Sequence, residues 1–190
     1  MKRSPLWENL FSRKNKAADE SLEFMKNTPV FEDLSNREIK IIRSLCHVRH
    51  YKKDEHVFRE GEPGVGMYII MEGSVEIYRS DEDYYREYAV LEQGDFFGEI
   101  ALLDDLPRTA SARARSYSVL LGFYRPDLLS LLSRKSSLAG TVILNIARLT
   151  GQRLVHTNQE MERLNLRIDE LKRDRKQPIL ARSAVKKKPE

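Results

Sequence analysis

Apolar positions along this chain fall into three regimes of spacing. At the start, "MKRSPLWENLFSRKNKAADE" sets Leu6, Trp7, Leu10 and Phe11 at helical intervals among basic residues, which makes a short amphipathic patch. Two readings fit that patch: docking on the protein's own core, or peripheral contact with a membrane or a partner. A second helical stretch, "LEFMKNTPVFEDLSNREIKIIRSLCHV", is broken by Pro29. Ser35 and Glu38 stand at capping-box spacing. They predict a new helix from about Asn36, with Ile39, Ile42 and Leu45 on its buried side.

From His47 the period becomes alternating. The runs "HVRHYK", "EHVFRE", "MYIIMEGSVEIYR", "REYAVL", "ASARA" and "SVLLGFY" are short, rich in Val, Ile, Tyr and Phe, and separated by Gly, Pro and acidic clusters, which reads as a set of strands. Glu72-Gly73 predicts a hairpin turn and "SDEDY" a longer polar hairpin loop. Many short strands at regular spacing predict a mainly β domain with flanking helices, an antiparallel sandwich or jelly-roll barrel, whose concave interior can hold a small ligand. After Tyr124 the helical period returns. Pro126 suits the first turn of a helix through "DLLSLLSR", and a long C-terminal helix follows from about Ser137 to about Arg175. Met161, Leu164, Ile168 and Leu171 recur at three-four-three spacing among charged residues. That stripe is too narrow for a globular core and suits a coiled-coil seam, from which a parallel homodimer is expected.

Bulk composition narrows the field. A chain of 190 residues holds one cored domain plus an appendage. Its single cysteine, Cys46, excludes an intrachain disulfide framework, and no signal-like or long apolar run is present, so a cytoplasmic location is expected. The formal charge of +4 is concentrated in the tail "KRDRKQPILARSAVKKKPE", without which the chain is close to neutral. A basic patch of that kind attracts anionic partners of any class. The resulting organisation is an N-terminal amphipathic segment and helix over 1–28, a barrel domain over 29–156, a coiled-coil extension over 157–176 and a disordered basic tail over 177–190.

The stretch "GDFFGEIALLDDLPRTASARA" carries the candidate chemistry. A glycine where a strand enters a helix lets backbone approach a ligand, and the first N–H groups of the helix have no internal partners, so together they make an anion site. Gly98 holds that place, Ile100, Ala101 and Leu102 form the small helix, and Arg108 follows Pro107, whose fixed φ stiffens the approach. The planar fork of an arginine bonds two oxygens of a phosphate. Glu99 would repel a bare phosphate. The conflict disappears for a ligand with a hydroxyl beside its phosphate, as in a ribose: the acid accepts from the hydroxyl while the arginine neutralises the phosphate.

"FGEIALLDDLPRTASARA" closely resembles the phosphate-binding cassette of cyclic-nucleotide-binding domains, the family found in protein kinase A regulatory subunits, cyclic-nucleotide-gated channels and bacterial catabolite activators. The upstream "FREGEPGVGMYIIMEGSVEIY" also looks like that family's first strands, and the resemblance covers about Val30 to His156. It implies that Glu99 holds the ribose 2'-hydroxyl and Arg108 the cyclic phosphate. Gly98, Ala101 and the backbone of Ala110 would line the phosphate, Thr109 would face phosphate and purine, and Ile100 of the small helix belongs to the same binding set. "ILNIARLTGQRL" resembles the helix that closes over the base, which makes Arg148 and Gln152, one turn apart, the lid candidates beside Leu149. The implied ligand is cyclic AMP or cyclic GMP, with no cofactor and no catalytic residue. Degenerate members of the family typically lose the Arg or the Glu, and this chain keeps both.

The same residues admit other readings. Glu99 could merely complement a helix N-terminus while Arg108 pairs with Asp104 or Asp105 on the surface. The fold could serve as an interaction scaffold without ligand. His47, His50 and His56 raise a cupin-type metal enzyme, but the sequence lacks the His-x-His followed by Glu that gathers ligands on one face, so no metal is expected. "GEPGVG" has no Walker lysine and reads as a turn. About fifteen residues follow Arg175, too few for a helix-turn-helix, so sequence-specific DNA binding is not expected. No kinase signature and no channel span is present. The expectation is a non-enzymatic sensor: cyclic nucleotide in, altered helix geometry out, to an effector protein that the sequence does not identify.

Overall fold

The computed structural model describes residues 21–81 and 84–184, with side chains described through Arg173. The amphipathic patch at Leu6–Phe11, Glu82 and Asp83 of the polar hairpin loop, and residues 185–190 of the basic tail lie outside the described residues. The chain divides into two compact units, Met1–Ile146 and Ala147–Glu190.

In the first unit, helix α1 (residues 21–26) leads into a 3-10 turn, Pro29–Phe31, and then helix α2 (Asn36–Leu45). Ser35 and Glu38 close the expected capping box: the Ser35 hydroxyl accepts from the Glu38 backbone N–H, and the Glu38 carboxylate accepts from the Ser35 N–H at 2.9 Å. Two first-turn donors are thereby satisfied, which is why the helix begins there. Ile39 and Ile42 are buried, Leu45 half-buried.

Eight strands follow: β1 (His47–Tyr51), β2 (His56–Phe58), β3 (Gly66–Glu72), β4 (Val75–Ser80), β5 (Tyr85–Leu91), β6 (Phe96–Phe97), β7 (Ser111–Ala114) and β8 (Ser118–Tyr124). They form two four-stranded antiparallel sheets, ordered β1-β8-β3-β6 and β2-β7-β4-β5. The central strands β3 and β8 are buried almost throughout, so they read as continuous apolar runs, whereas edge strand β5 is mostly exposed. Tyr68, Ile70, Phe97 and Leu120 of the first sheet meet Val75 and Ala112 of the second in the core between the sheets. Their neighbours Met67, Ile69, Leu121 and Phe123 point to the opposite face and are equally buried. At the β3–β4 hairpin Gly73 takes φ +85°, and an added Cβ would come within 2.3 Å of the Tyr117 carbonyl oxygen. Strand β6 was not legible in the spacing, since two residues are too few to show alternation. It exists because Phe96 and Phe97 pair with Ile69 and Tyr68.

Short helix α3 (Ile100–Leu103) lies between β6 and β7, and α4 (Arg125–Arg134) follows β8 with Pro126 in its first turn. Helix α5 runs from Ser136 to Ala184. Leu138, Ala139, Val142 and Ile146 bury its first turns within the barrel unit. Asn145 locks it there, donating from Nδ2 to the carbonyls of Glu32 at 2.8 Å and Val30 at 3.3 Å. No described helix is long and apolar enough to cross a membrane.

Candidate functional site

Strand β6 ends at Phe97, and Gly98 turns the chain with φ +74°, a conformation that side chains with a Cβ resist. Glu99 then caps α3 through its backbone: the amides of Ala101 and Leu102 donate to the carbonyls of Gly98 at 3.2 Å and Glu99 at 3.0 Å. No cap bond runs from the Glu99 side chain, so the acid does not act as an N-cap acceptor. Ala101 and Leu102 are buried, while Ile100 is 44% exposed. The Cβ of Gly64, were it present, would stand 2.7 Å from both the Ala101 Cβ and the Leu106 carbonyl oxygen. The "GEPGVG" turn is thus the floor on which the small helix rests.

Arg108 is the centre of the site. Its backbone N–H donates to the Glu62 carbonyl at 2.8 Å, and its own carbonyl accepts from the Gly61 N–H at 2.8 Å. Its side chain is buried, with residue exposure of only 7%. Nη2 donates to the Gly66 carbonyl at 2.8 Å and Nη1 to the Gly98 carbonyl at 3.2 Å. The guanidinium carbon sits 3.9 Å from the centre of the Phe58 ring, within cation–π range. Nε is buried without a hydrogen-bond partner. Burial pulls the Arg108 pKa below its ordinary value, with Tyr68, Glu62 and Glu99 opposing that shift. The surface ion pair with Asp104 or Asp105 is not formed. Arg108 turns inward, and Asp105 lies 3.8 Å from Arg125 instead.

Two glycines make the arrangement possible. A Cβ on Gly98 would come 2.6 Å from Arg108 Nη1, and one on Gly66 would come 2.4 Å from the Phe123 carbonyl oxygen. Sequence reasoning placed Gly98 here but missed Gly66 and Phe58. The only signal was the "VFREGEPGVG" stretch, whose distance from Arg108 in sequence hides the contact.

The structure therefore gathers Gly98, Glu99, Ala101 and Arg108, with Ile100 on the outer side of α3. Thr109 is exposed and Ala110 half-buried at the entry to β7. Arg148 and Gln152 lie on α5 within the second unit, both exposed. The strand histidines go to separate partners: His50 Nδ1 to the Tyr117 hydroxyl at 2.8 Å, His56 Nε2 to the Tyr78 hydroxyl at 2.7 Å, and His47 to Asp127 at 4.0 Å. Among the described residues no cluster of His, Cys, Asp or Glu could hold a metal ion.

The barrel thus sets a glycine-turned short helix beside a buried, inward-facing arginine. Residues 48–135 match the family model of the cyclic nucleotide-binding domain. The cyclic AMP receptor protein of Thermus thermophilus is 32% identical over 142 residues, 74% of this chain and 64% of that protein. A cAMP-dependent protein kinase regulatory subunit of Mycosarcoma maydis is 36% identical over 92 residues, 48% of this chain and 18% of that protein. The crystal structure of a cyclic nucleotide-binding domain from Methylobacillus flagellatus superposes with a TM-score of 0.66 at 25% identity, covering 74% of this chain and 80% of that one. The chain carries a domain of the cyclic nucleotide-binding family. It spans less than two thirds of the length of both curated relatives.

Proposed function

We propose that this protein is a regulatory sensor that binds cyclic AMP, and detectably cyclic GMP, in the Gly98–Ala110 cassette. The observation that carries the reading is Arg108: a buried cation held by two carbonyls and a ring face, with a buried N–H that has no partner. An exocyclic oxygen of a cyclic phosphate supplies both the missing acceptor and the missing negative charge. Glu99 accepts from the ribose 2'-hydroxyl, and the Ala101 end of α3 lines the phosphate. No covalent step is involved. The protein binds the ligand, and the output is a change in α5, with Arg148 and Gln152 as lid residues over the base, read by an effector protein. The exposed seam of α5 joins two copies.

Titration of wild type, Arg108→Ala and Glu99→Ala with cyclic AMP, cyclic GMP and 2'-deoxy cyclic AMP tests this. Losing Arg108 leaves a phosphate partly desolvated and unpaired, a cost of about 2 to 5 kcal/mol, or about 30-fold to several thousandfold in affinity. Losing Glu99 costs less, about 1.5 to 3 kcal/mol, and removes the preference for ribose over 2'-deoxyribose. Wild-type protein that binds neither nucleotide favours the scaffold reading. Binding that survives Arg108→Ala nearly intact places the phosphate elsewhere.

A further inference from the structure

The second unit exposes an apolar row: Leu154 at 61%, Met161 at 56%, Leu164 at 60%, Ile168 at 46% and Leu171 at 55%. With Thr157 these residues occupy consecutive a and d positions of a heptad pattern, alternating by three and four. A row so narrow is covered by one other helix, but the row itself does not say which way that helix runs. The flanking e and g positions do. Glu160 and Arg167 stand at g; Asn158, Asn165 and Lys172 stand at e.

In a parallel pair each g residue faces the e residue of the next heptad of its partner. Glu160 would then face only Asn165, and Arg167 would face Lys172, a like-charge contact made twice by symmetry. In an antiparallel pair g faces g and e faces e. One register stacks Leu154 on Leu171, Thr157 on Ile168 and Met161 on Leu164 of the second copy. In it Glu160 faces Arg167 twice and Asn158 faces Asn165 twice. Sliding by one heptad either way sets Arg167 against Arg167 or Glu160 against Glu160. The charges thus select one direction and one register.

We propose that α5 pairs through Leu154–Leu171 with a second copy of this chain as an antiparallel coiled coil in that register. This rests on the self-association in the functional reading above and is independent of nucleotide binding. It replaces the parallel arrangement expected from the seam alone. Along their own helix Glu160 lies 3.7 Å from Arg163 and Arg167 2.9 Å from Glu170. These pairs are highly exposed, so they contribute little and leave both side chains beside the seam.

The test uses the full chain with a spin label attached through Arg173→Cys. Native Cys46 is buried and its thiol pKa is pushed up to about 12, so it stays unlabelled. Light scattering is expected to give a dimer. The two labels are expected roughly 30 Å apart, the rise of about 21 helical residues, against roughly 20 Å or less for parallel helices. Arg167→Glu is expected to weaken the dimer about tenfold, since it turns two attractive contacts repulsive, and Glu160→Arg with Arg167→Glu is expected to restore it. A monomer at tens of micromolar overturns the self-association. A dimer with the short distance, or one tightened by Arg167→Glu, overturns the direction alone.

Discussion

Arg108 keeps a charge at a burial where unpaired arginines are rare, and it does so on carbonyl oxygens and the Phe58 ring. That support depends on residues without side chains. Gly98→Ala would force a Cβ into positive φ, a cost of about 1 to 2 kcal/mol, and would drive it to 2.6 Å from Nη1. The guanidinium must shift, so both the melting temperature and the affinity for cyclic AMP are expected to fall. A variant whose affinity equals wild type would show that Arg108 need not sit where it does. Thr109 is exposed beside the arginine, where its hydroxyl can accept from a guanine amino group. Thr109→Ala is therefore expected to lower cyclic GMP affinity more than cyclic AMP affinity. An unchanged ratio in paired calorimetric titrations would remove Thr109 from purine selection. The identity of Arg108 and Glu99 as site candidates was legible in the sequence, because an acid and a fork at the ends of a glycine-started insert match one hydroxyl and one phosphate. Their surroundings were not. Gly66 and Phe58 stand far from Arg108 in sequence, and no periodicity links them.

At the level of elements, the two ends of the barrel unit were written locally. The Ser35–Glu38 box starts α2 and Pro126 opens α4, because caps and fixed φ act within one turn. Strand β6 depends instead on β3 lying beside it. Helix α5 belongs to both units: its first turns are buried on the barrel and tied by Asn145, and the rest belongs to the second unit. A ligand moves such a helix only if it binds one of its positions better than another. Saturating cyclic AMP is expected to slow amide hydrogen exchange between Ile146 and His156, with Arg148 and Gln152 on the protected face. Identical exchange with and without nucleotide would mean that these residues form no lid.

For the whole molecule, the change of period at His47 and again after Tyr124 was enough to determine a mainly β domain between helices, since alternation and the 3.6-residue repeat are properties of neighbouring positions. The single cysteine, Cys46, excluded a disulfide within these 190 residues. The heptad seam and its flanking charges were likewise in the sequence, because a coiled coil is read along one helix. Tertiary structure alone decided how the strands divide into two sheets, since pairings such as Val48 with Leu121 join residues that no local signal connects. It alone showed that Arg108 faces inward, toward Gly66 and Phe58, and that Asp105 instead meets Arg125. The physical reason is the same in each case: spacing along the chain sets which face a side chain takes, whereas the group it meets is set by long-range packing.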